Sequence, residues 1–287
     1  MKLRIGTRKS RLALAQTDMV VSALKKACPG VEAEIVHITT RGDRILDRPL
    51  LQIGGKGVFI GEIERELLSG GIDIAVHSAK DLSNALAEGT EIAAVLERGK
   101  PNDVLAVRRG MAFGSSDSFM IGTGSLRRRG GAARIYPNAV FADIRGNVDT
   151  RLNKLAAGEY DAVILAAAGL ERLGMMNDER FTFTELPADI CIPAPCQAII
   201  AVQSVKGKFS DILSAADHSM THILFNTERE VLRRLDSGCT LPVGAFARYE
   251  GDRLVLSVTD GKSCAEVSDM PENWRKMAEK AVKSIEG

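Results

Sequence analysis

The sequence predicts an α/β protein of more than one domain, closed by a small α+β unit, on three observations. Its 287 residues exceed what one domain of ordinary size holds. Short apolar runs alternate with amphipathic stretches through most of the chain, the rhythm of βα units. After Pro242 the pattern changes to alternating strands followed by one amphipathic helix.

Taken in order, Lys2–Thr7 reads as a strand and Ser10–Ala27 as a helix, with Leu12, Leu14, Met19, Val20, Leu24 and Ala27 apolar and Pro29-Gly30 ending it. Val31–Thr39 is a second strand, residues 58–68 are helical, and Ile72–Val76 and Glu91–Leu96 are short strands. Arg98–Asp103 is a turn-rich break. A second α/β unit follows, with strands at Val104–Val107, Phe119–Gly122, Val140–Ala142 and Ala162–Leu165 and helices after Ser125 and Asn147. Ile192-Pro193-Ala194-Pro195 is the next break. Ala198–Val202 then reads as a lone buried strand that either completes the second unit or returns to the first. A helical pattern runs from His218 to Leu235. Beyond Gly238-Cys239-Thr240-Leu241-Pro242 come two or three strands, including Arg253–Val258 after the turn Glu250-Gly251-Asp252, and a final helix, Trp274–Ile285.

Lys+Arg is 38 and Asp+Glu 37, a net charge of +1, which argues against a general nucleic-acid or membrane-surface protein. No apolar run approaches the ~18 residues of a membrane span. The N-terminus enters a strand pattern directly, without the apolar core of a signal peptide, so a cytoplasmic location is expected. Five cysteines with no Cys-x-x-Cys argue against a disulfide framework or a zinc site. His218 and His222 have i, i+4 spacing but no Glu follows His218, so no metal is expected.

Three constellations carry chemistry. Leu105–Arg151 holds eight arginines, no lysine and three acids, an excess of five positive charges. An ordinary charge run is a solvated face. Here Arg127, Arg128 and Arg129 fall in the first turn of a helix capped by Ser125, after the turn Gly122-Thr123-Gly124. Cations there oppose the helix dipole at about 0.3–1 kcal/mol each, a placement that makes sense where an anion sits. Arginine in place of lysine favours planar carboxylate or phosphate partners. Neither the dinucleotide fingerprint nor the P-loop is met. Next, the apolar strand Asp73–Val76 leads to Ser78, Lys80 and Asp81 at its C-terminal end, where open α/β sheets place ligands; His77 reads as a packed structural residue. Last, Cys239 lies on a Gly/Pro-bounded loop, exposed and reactive or simply a small buried hydrophobe.

Together these stretches resemble the porphobilinogen deaminase family, the hydroxymethylbilane synthases, over nearly the whole chain. The resemblance rests on Gly6–Gln16, Gly54-Gly55-Lys56-Gly57-Val58-Phe59, Val76–Leu82, Gly122–Arg128, Ile144–Leu152, Ala166–Leu173 and Gly238–Gly244, all in order. It implies two periplasmic-binding-protein-like (type 2) domains plus a small C-terminal α+β domain: residues 1–98 with 199–217, residues 102–193, and residues 218–287. Ala198–Val202 would then return to the first domain. The implied reaction condenses four porphobilinogen molecules head to tail, releasing ammonia, into linear hydroxymethylbilane. The implied cofactor is a dipyrromethane bound through a thioether to Cys239. Asp81 matches the family's catalytic aspartate, placed to stabilise a cationic azafulvene and assist proton transfer. Arg8, Arg127, Arg128, Arg145, Arg151, Arg172 and Lys80 match its carboxylate binders. Ser10, Ser78, Thr123 and Ser125 are hydrogen-bonding candidates, and Phe59 one to pack over a pyrrole. A monomer with no nucleic-acid or membrane partner is implied.

Cys196-Gln197-Ala198 stands where the family usually has Gly-Gln-Gly, Ser83-Asn84 where a proline is expected, Ser237 where glycine precedes the cysteine, and Gln52 where lysine is common. Two other classes are a two-lobed anion-binding protein without catalysis, which would carry no covalent dipyrrole, and a nucleic-acid binder, which 5% aromatic residues and near-neutral charge disfavour.

Overall fold

The computed structural model describes residues 1–40, 60–235 and 242–286. In strand β1 (Lys2–Thr7) Leu3 and Ile5 alternate onto one buried face. Helix α1 (Arg11–Ala27) covers that face with Val20 and Leu24. Ser10 starts the helix by accepting the Ala13 N–H at 3.2 Å, and Lys25 and Lys26 suit the negative end of its dipole. There follow β2 (Glu32–His37), α2 (Gly61–Leu68), β3 (Ile74–Ser78), a 3₁₀ turn at Ala79–Asp81 and β4 (Thr90–Val95).

The next stretch contains β5 (Asp103–Arg108), β6 (Met120–Gly122), α3 (Leu126–Ile135), β7 (Val140–Ala142), α4 (Val148–Ala156), β8 (Ala162–Ala166), α5 (Ala167–Arg172) and β9 (Phe181–Glu185). After it come β10 (Ile200–Val205), α6 (Ser210–Ala216), α7 (Ser219–Arg234), β11 (Gly244–Glu250), β12 (Arg253–Thr259), β13 (Cys264–Asp269) and α8 (Trp274–Glu286).

The first sheet has the order β2-β1-β3-β10-β4, with β1 parallel to β2 and β3 and with β10 antiparallel to β3 and β4. The second has the order β7-β6-β8-β5-β9, with β6 parallel to β7 and β8 and with β5 antiparallel to β8 and β9. The two sheets repeat one plan. In each, the antiparallel fourth strand is the one that follows a passage of the chain between the sheets. Strand β10 therefore joins the first sheet, which answers the alternative left open by the residues alone. Both α/β units are thus five-stranded mixed sheets of one plan, in keeping with the α/β class read from the sequence. The α+β part is the antiparallel meander β11-β12-β13, covered by α8 through Met277, Ala278, Ala281, Val282 and Ile285, one helical stripe.

Two compact units result. Among the described residues, one takes in Met1–Gly99 and Ile199–Arg229; the other takes in Lys100–Ala198, residues 230–235 and residues 242–286, the meander included. Several elements differ from the sequence expectation. β3 lies two residues later than the apolar run suggests, because Ile200 of β10 pairs as far along as Ser78. The α2 helix begins at Gly61, and residues 58 and 59 lie outside the described residues. β9, α5 and α6 have no counterpart in the sequence reading.

Candidate active site

In the first unit the parallel strands β1 and β3 end at one edge of the sheet, since Ile5 and Gly6 lie opposite Ile74 and Ala75. Gly6 permits the packing there: a Cβ would lie 2.3 Å from Ile72 Cδ1. Arg8 and Ser10 follow β1, and Ser78, Lys80 and Asp81 close or follow β3, so all five belong to that edge. The Ser10 hydroxyl accepts a backbone N–H and keeps its own proton to donate. Ser78 differs, because its Oγ donates to Gln16 Oε1 at 2.9 Å. Asp81 is half-buried and ends the 3₁₀ turn. That turn is fixed by the Ala79 N–H donating to Ile199 O at 3.0 Å and by the buried side chain of Leu82.

His77 is buried, and burial lowers its pKa to about 4. Gln203 Nε2 donates to Glu64 Oε1 at 2.9 Å and to Thr90 Oγ1 at 2.8 Å. Gln203 Oε1 is thereby left to accept from His77 Nε2 at 2.9 Å, which assigns the proton to that nitrogen. A neutral imidazole so enclosed is a structural group, as the sequence reading has it.

In the second unit β6, β7 and β8 run parallel into the N-termini of α3, α4 and α5. The Thr123 N–H donates to Ala142 O at 2.8 Å and carries the pairing one residue past the strands. Thr123 Oγ1 accepts the Ser125 N–H at 3.2 Å, and Ser125 Oγ caps α3 by accepting the Arg128 N–H at 3.4 Å; both hydroxyls keep their protons. Asn147 caps α4 through the Thr150 N–H at 2.8 Å. Arg151 Nε donates to Gly146 O at 2.8 Å, and Arg172 Nη2 to Ala198 O at 2.5 Å. Among the described residues neither Arg145 nor Arg172 forms an ion pair.

The anion that the first turn of α3 calls for is supplied by the chain itself. Asp103, fully buried at the start of β5, accepts from Arg127 Nη2 at 2.7 Å through Oδ2, and from Arg128 Nε at 3.1 Å and Nη2 at 2.7 Å through Oδ1. Gln197 Nε2 adds a bond to Asp103 Oδ1 at 3.0 Å and one to Pro101 O at 2.7 Å. Burial alone would raise the Asp103 pKa. The charges and hydrogen bonds of Arg127 and Arg128 outweigh it and hold the carboxyl well below the usual range. Arg127 Nη1 also reaches Ile192 O at 2.8 Å. The absent side chain of Gly131 allows this segment to lie close, since a Cβ there would lie 2.8 Å from Cys191 Cα. Two guanidinium ions share one carboxylate, so the cluster keeps one positive charge in excess.

Sequence reasoning missed Asp103 and Gln197. The signal for Asp103 was an acid at the head of an otherwise apolar run, a place that a carboxylate occupies only when paired. Phe59, Cys239 and the Gly54–Gly57 run lie outside the described residues. Among the described residues no group of three or more His, Cys, Asp or Glu side chains is placed to hold a metal ion, and no helix is long and apolar enough to cross a membrane.

Residues 3–210 match the family model "Porphobilinogen deaminase, dipyromethane cofactor binding domain", and residues 223–269 match "Porphobilinogen deaminase, C-terminal domain". The chain is 46% identical over 258 residues to the porphobilinogen deaminase of Roseiflexus sp. (strain RS-1), spanning 88% of this chain and 84% of that relative. It is 38% identical over 291 residues to that of Streptococcus sanguinis (strain SK36), spanning 99% of this chain and 95% of the relative. Among solved structures it is similar to the periplasmic VFT2 domain of Bordetella pertussis BvgS, with 16% identity and a TM-score of 0.44 over 80% of this chain and 91% of that one.

Proposed function

The chain belongs to the porphobilinogen deaminase family, and from that premise we propose that Asp81 is its catalytic carboxylate and Cys239 the residue that carries its cofactor. The reaction is the head-to-tail condensation of four porphobilinogen molecules, with release of ammonia, into linear hydroxymethylbilane on a covalently bound dipyrromethane. It is a transferase reaction of tetrapyrrole and haem biosynthesis. The single observation that carries the site assignment is the place of Asp81: a half-buried carboxylate at the sheet edge that also holds Arg8, Ser10, Ser78 and Lys80.

The residues fit a pyrrole polycarboxylate. Each pyrrole unit bears an acetate and a propionate, and the second unit offers a cationic excess around Arg127 and Arg128 together with Arg145 and Arg172. Thr123 and Ser125 keep hydroxyl protons to donate to carboxylate oxygens. When bound, the dipyrromethane supplies the pyrrole end on which the product grows. Asp81 acts at the pyrrole nitrogen of the incoming porphobilinogen. Its negative charge stabilises the positive charge that develops there as ammonia leaves, and its oxygens hold or return the N–H proton. Arg8, Arg145, Arg151 and Arg172 bind and orient the acetates and propionates, Arg127 and Arg128 add positive charge, Ser10 and Ser78 are assigned to hydrogen-bond carboxylates, and Phe59, outside the described residues, is assigned to a pyrrole ring. The domains assigned are residues 1–98 with 199–217, 102–193 and 218–287, in a cytoplasmic monomer.

The test is turnover of Asp81→Asn on protein shown by intact mass to carry its dipyrromethane. The expected kcat is lower by at least about 10²-fold with KM little changed. Near-normal turnover overturns the Asp81 assignment. Cys239→Ser is expected to lack the added mass, and a Cys239→Ser protein that keeps it moves the attachment elsewhere.

A further inference from the structure

Arg229, on α7, lies outside every residue set described so far. Its guanidinium reaches three successive carbonyl oxygens directly after Asp81: Nη2 donates to Ser83 O at 2.6 Å and to Asn84 O at 2.8 Å, and Nη1 lies 3.5 Å from Leu82 O. Asn84 is exposed, so water would satisfy that carbonyl without help from the protein. A rigid fork of donors spread over consecutive peptides instead fixes how the backbone leaves Asp81. On the other side of Asp81 the Leu82 N–H donates to Ala79 O at 3.2 Å and closes the 3₁₀ turn. Asp81 thus closes a hydrogen-bonded turn and leads directly into a clamped run of carbonyls.

The need for a clamp is visible in the residues. Ser83-Asn84 has no proline ring to fix φ just beyond Asp81. The same helix, α7, leads in sequence toward Cys239.

We propose that Arg229 is a positioning residue for Asp81, holding the segment Leu82–Asn84 so that the carboxylate keeps its place at the pyrrole nitrogen. The proposal rests on the reading of Asp81 as the catalytic carboxylate. Arg229 touches no substrate in it; its effect passes through the backbone.

The experiment compares Arg229→Gln, Asp81→Asn and the double variant, each with dipyrromethane loading verified by intact mass and turnover measured with porphobilinogen. Arg229→Gln is expected to lower kcat by about 10- to 10²-fold, the scale of a displacement of about 1 Å at a reacting group. KM should stay within about threefold, since uniform binding is untouched. In the Asp81→Asn background, Arg229→Gln should add no further loss. Leu82 lies at φ −62°, ψ 141°, the conformation that a residue before proline adopts, so Ser83→Pro should restore part of the lost kcat to Arg229→Gln. Should Arg229→Gln fail to load, Arg229→Lys keeps a cation without the fork and is read in the same way. A loaded Arg229→Gln enzyme that turns over normally overturns the proposal while leaving Asp81 in its role. So does a loss that repeats in full on top of Asp81→Asn, because a merely structural defect is additive. Near-normal turnover of loaded Asp81→Asn overturns the Asp81 reading, and this proposal with it.

Discussion

Replacing Asp103 by Asn keeps the size of the side chain and removes the one negative charge between Arg127 and Arg128. Both bridges are 2.7 Å long; the carboxylate is fully buried and the two guanidinium side chains are 7% and 10% exposed. Removing one partner of a buried ion pair costs about 3–5 kcal/mol, because the opposite charge stays behind uncompensated. Here two cations stay behind and repel each other. The Asn carbonyl still accepts one hydrogen bond, which returns about 1 kcal/mol. A net loss of about 3 kcal/mol follows, a large share of the ~5–15 kcal/mol that stabilises a typical domain. Urea unfolding at pH 7 measures it. The acid dependence gives a second reading. The folded carboxyl titrates well below the unfolded one, so its contribution is complete above the unfolded pKa of about 3.9 and is lost as pH falls through the lower folded value. The gap between wild type and Asp103→Asn should therefore be constant above pH ~4 and narrow below it. A variant within about 0.5 kcal/mol of wild type, or a gap that ignores acid, would refute the reasoning.

His77 gives a different pH window. Its folded pKa is about 4 against about 6.5 unfolded, so the unfolded chain binds the extra proton between those values; stability rises with pH across that range and is complete above it, by up to about 3 kcal/mol. His77→Gln should flatten this part of the pH–stability curve, and an unchanged curve would assign the dependence elsewhere. Ala198 sits at φ 69°, in the left-handed region, at an expense of about 1–2 kcal/mol for an L-residue. Ala198→Gly relieves that strain and loses about 0.5–1 kcal/mol to the freer unfolded chain, so a net gain of up to about 1.5 kcal/mol is expected in thermal or urea unfolding; a clear loss would contradict it.

The βα rhythm was legible because each strand-to-helix junction carries its own local chemistry. Ser10, Ser125 and Asn147 are N-caps that can be read without neighbours, and all three cap as their residue types suggest. The edges of β3 were not legible, because its partner β10 lies more than a hundred residues away and its register with Ser78 is a tertiary fact. β9 was missed although Phe181 and Phe183 alternate with threonines; its polar alternate positions and its place beside β5 alone give it little apolar signal. The site shows the same division. The motifs marked where Asp81 and the arginines stand along the chain. They did not show that the anion answering Arg127 and Arg128 is internal, since Asp103 meets them only once β5 and α3 are packed. Nor did they show that Cys196 and Ala198 stand at φ 61° and 69°, a backbone that glycine would adopt at no steric cost.

The hydrogen-bond inventory sorts the arginines by what each has left to offer. A guanidinium carries five N–H donors. Arg128 commits Nε and Nη2 to Asp103 and Nη1 to Ile164 O, and Arg127 commits its two terminal nitrogens to Asp103 and Ile192 O. Arg172 gives one bond to Ala198 O. Arg145 has no ion pair among the described residues. Direct, bidentate recognition of a carboxylate needs two parallel donors on an accessible face. That requirement favours Arg145 and Arg172 over the buried pair. What Arg127 and Arg128 retain is charge: one positive unit beyond what Asp103 neutralises, held where water screens it poorly. Under the proposed assignment, the buried pair sets the potential of the second unit's site and the more accessible arginines its geometry. Asp103 joins the two roles, because without it the pair could not be kept at the first turn of α3 against the helix dipole.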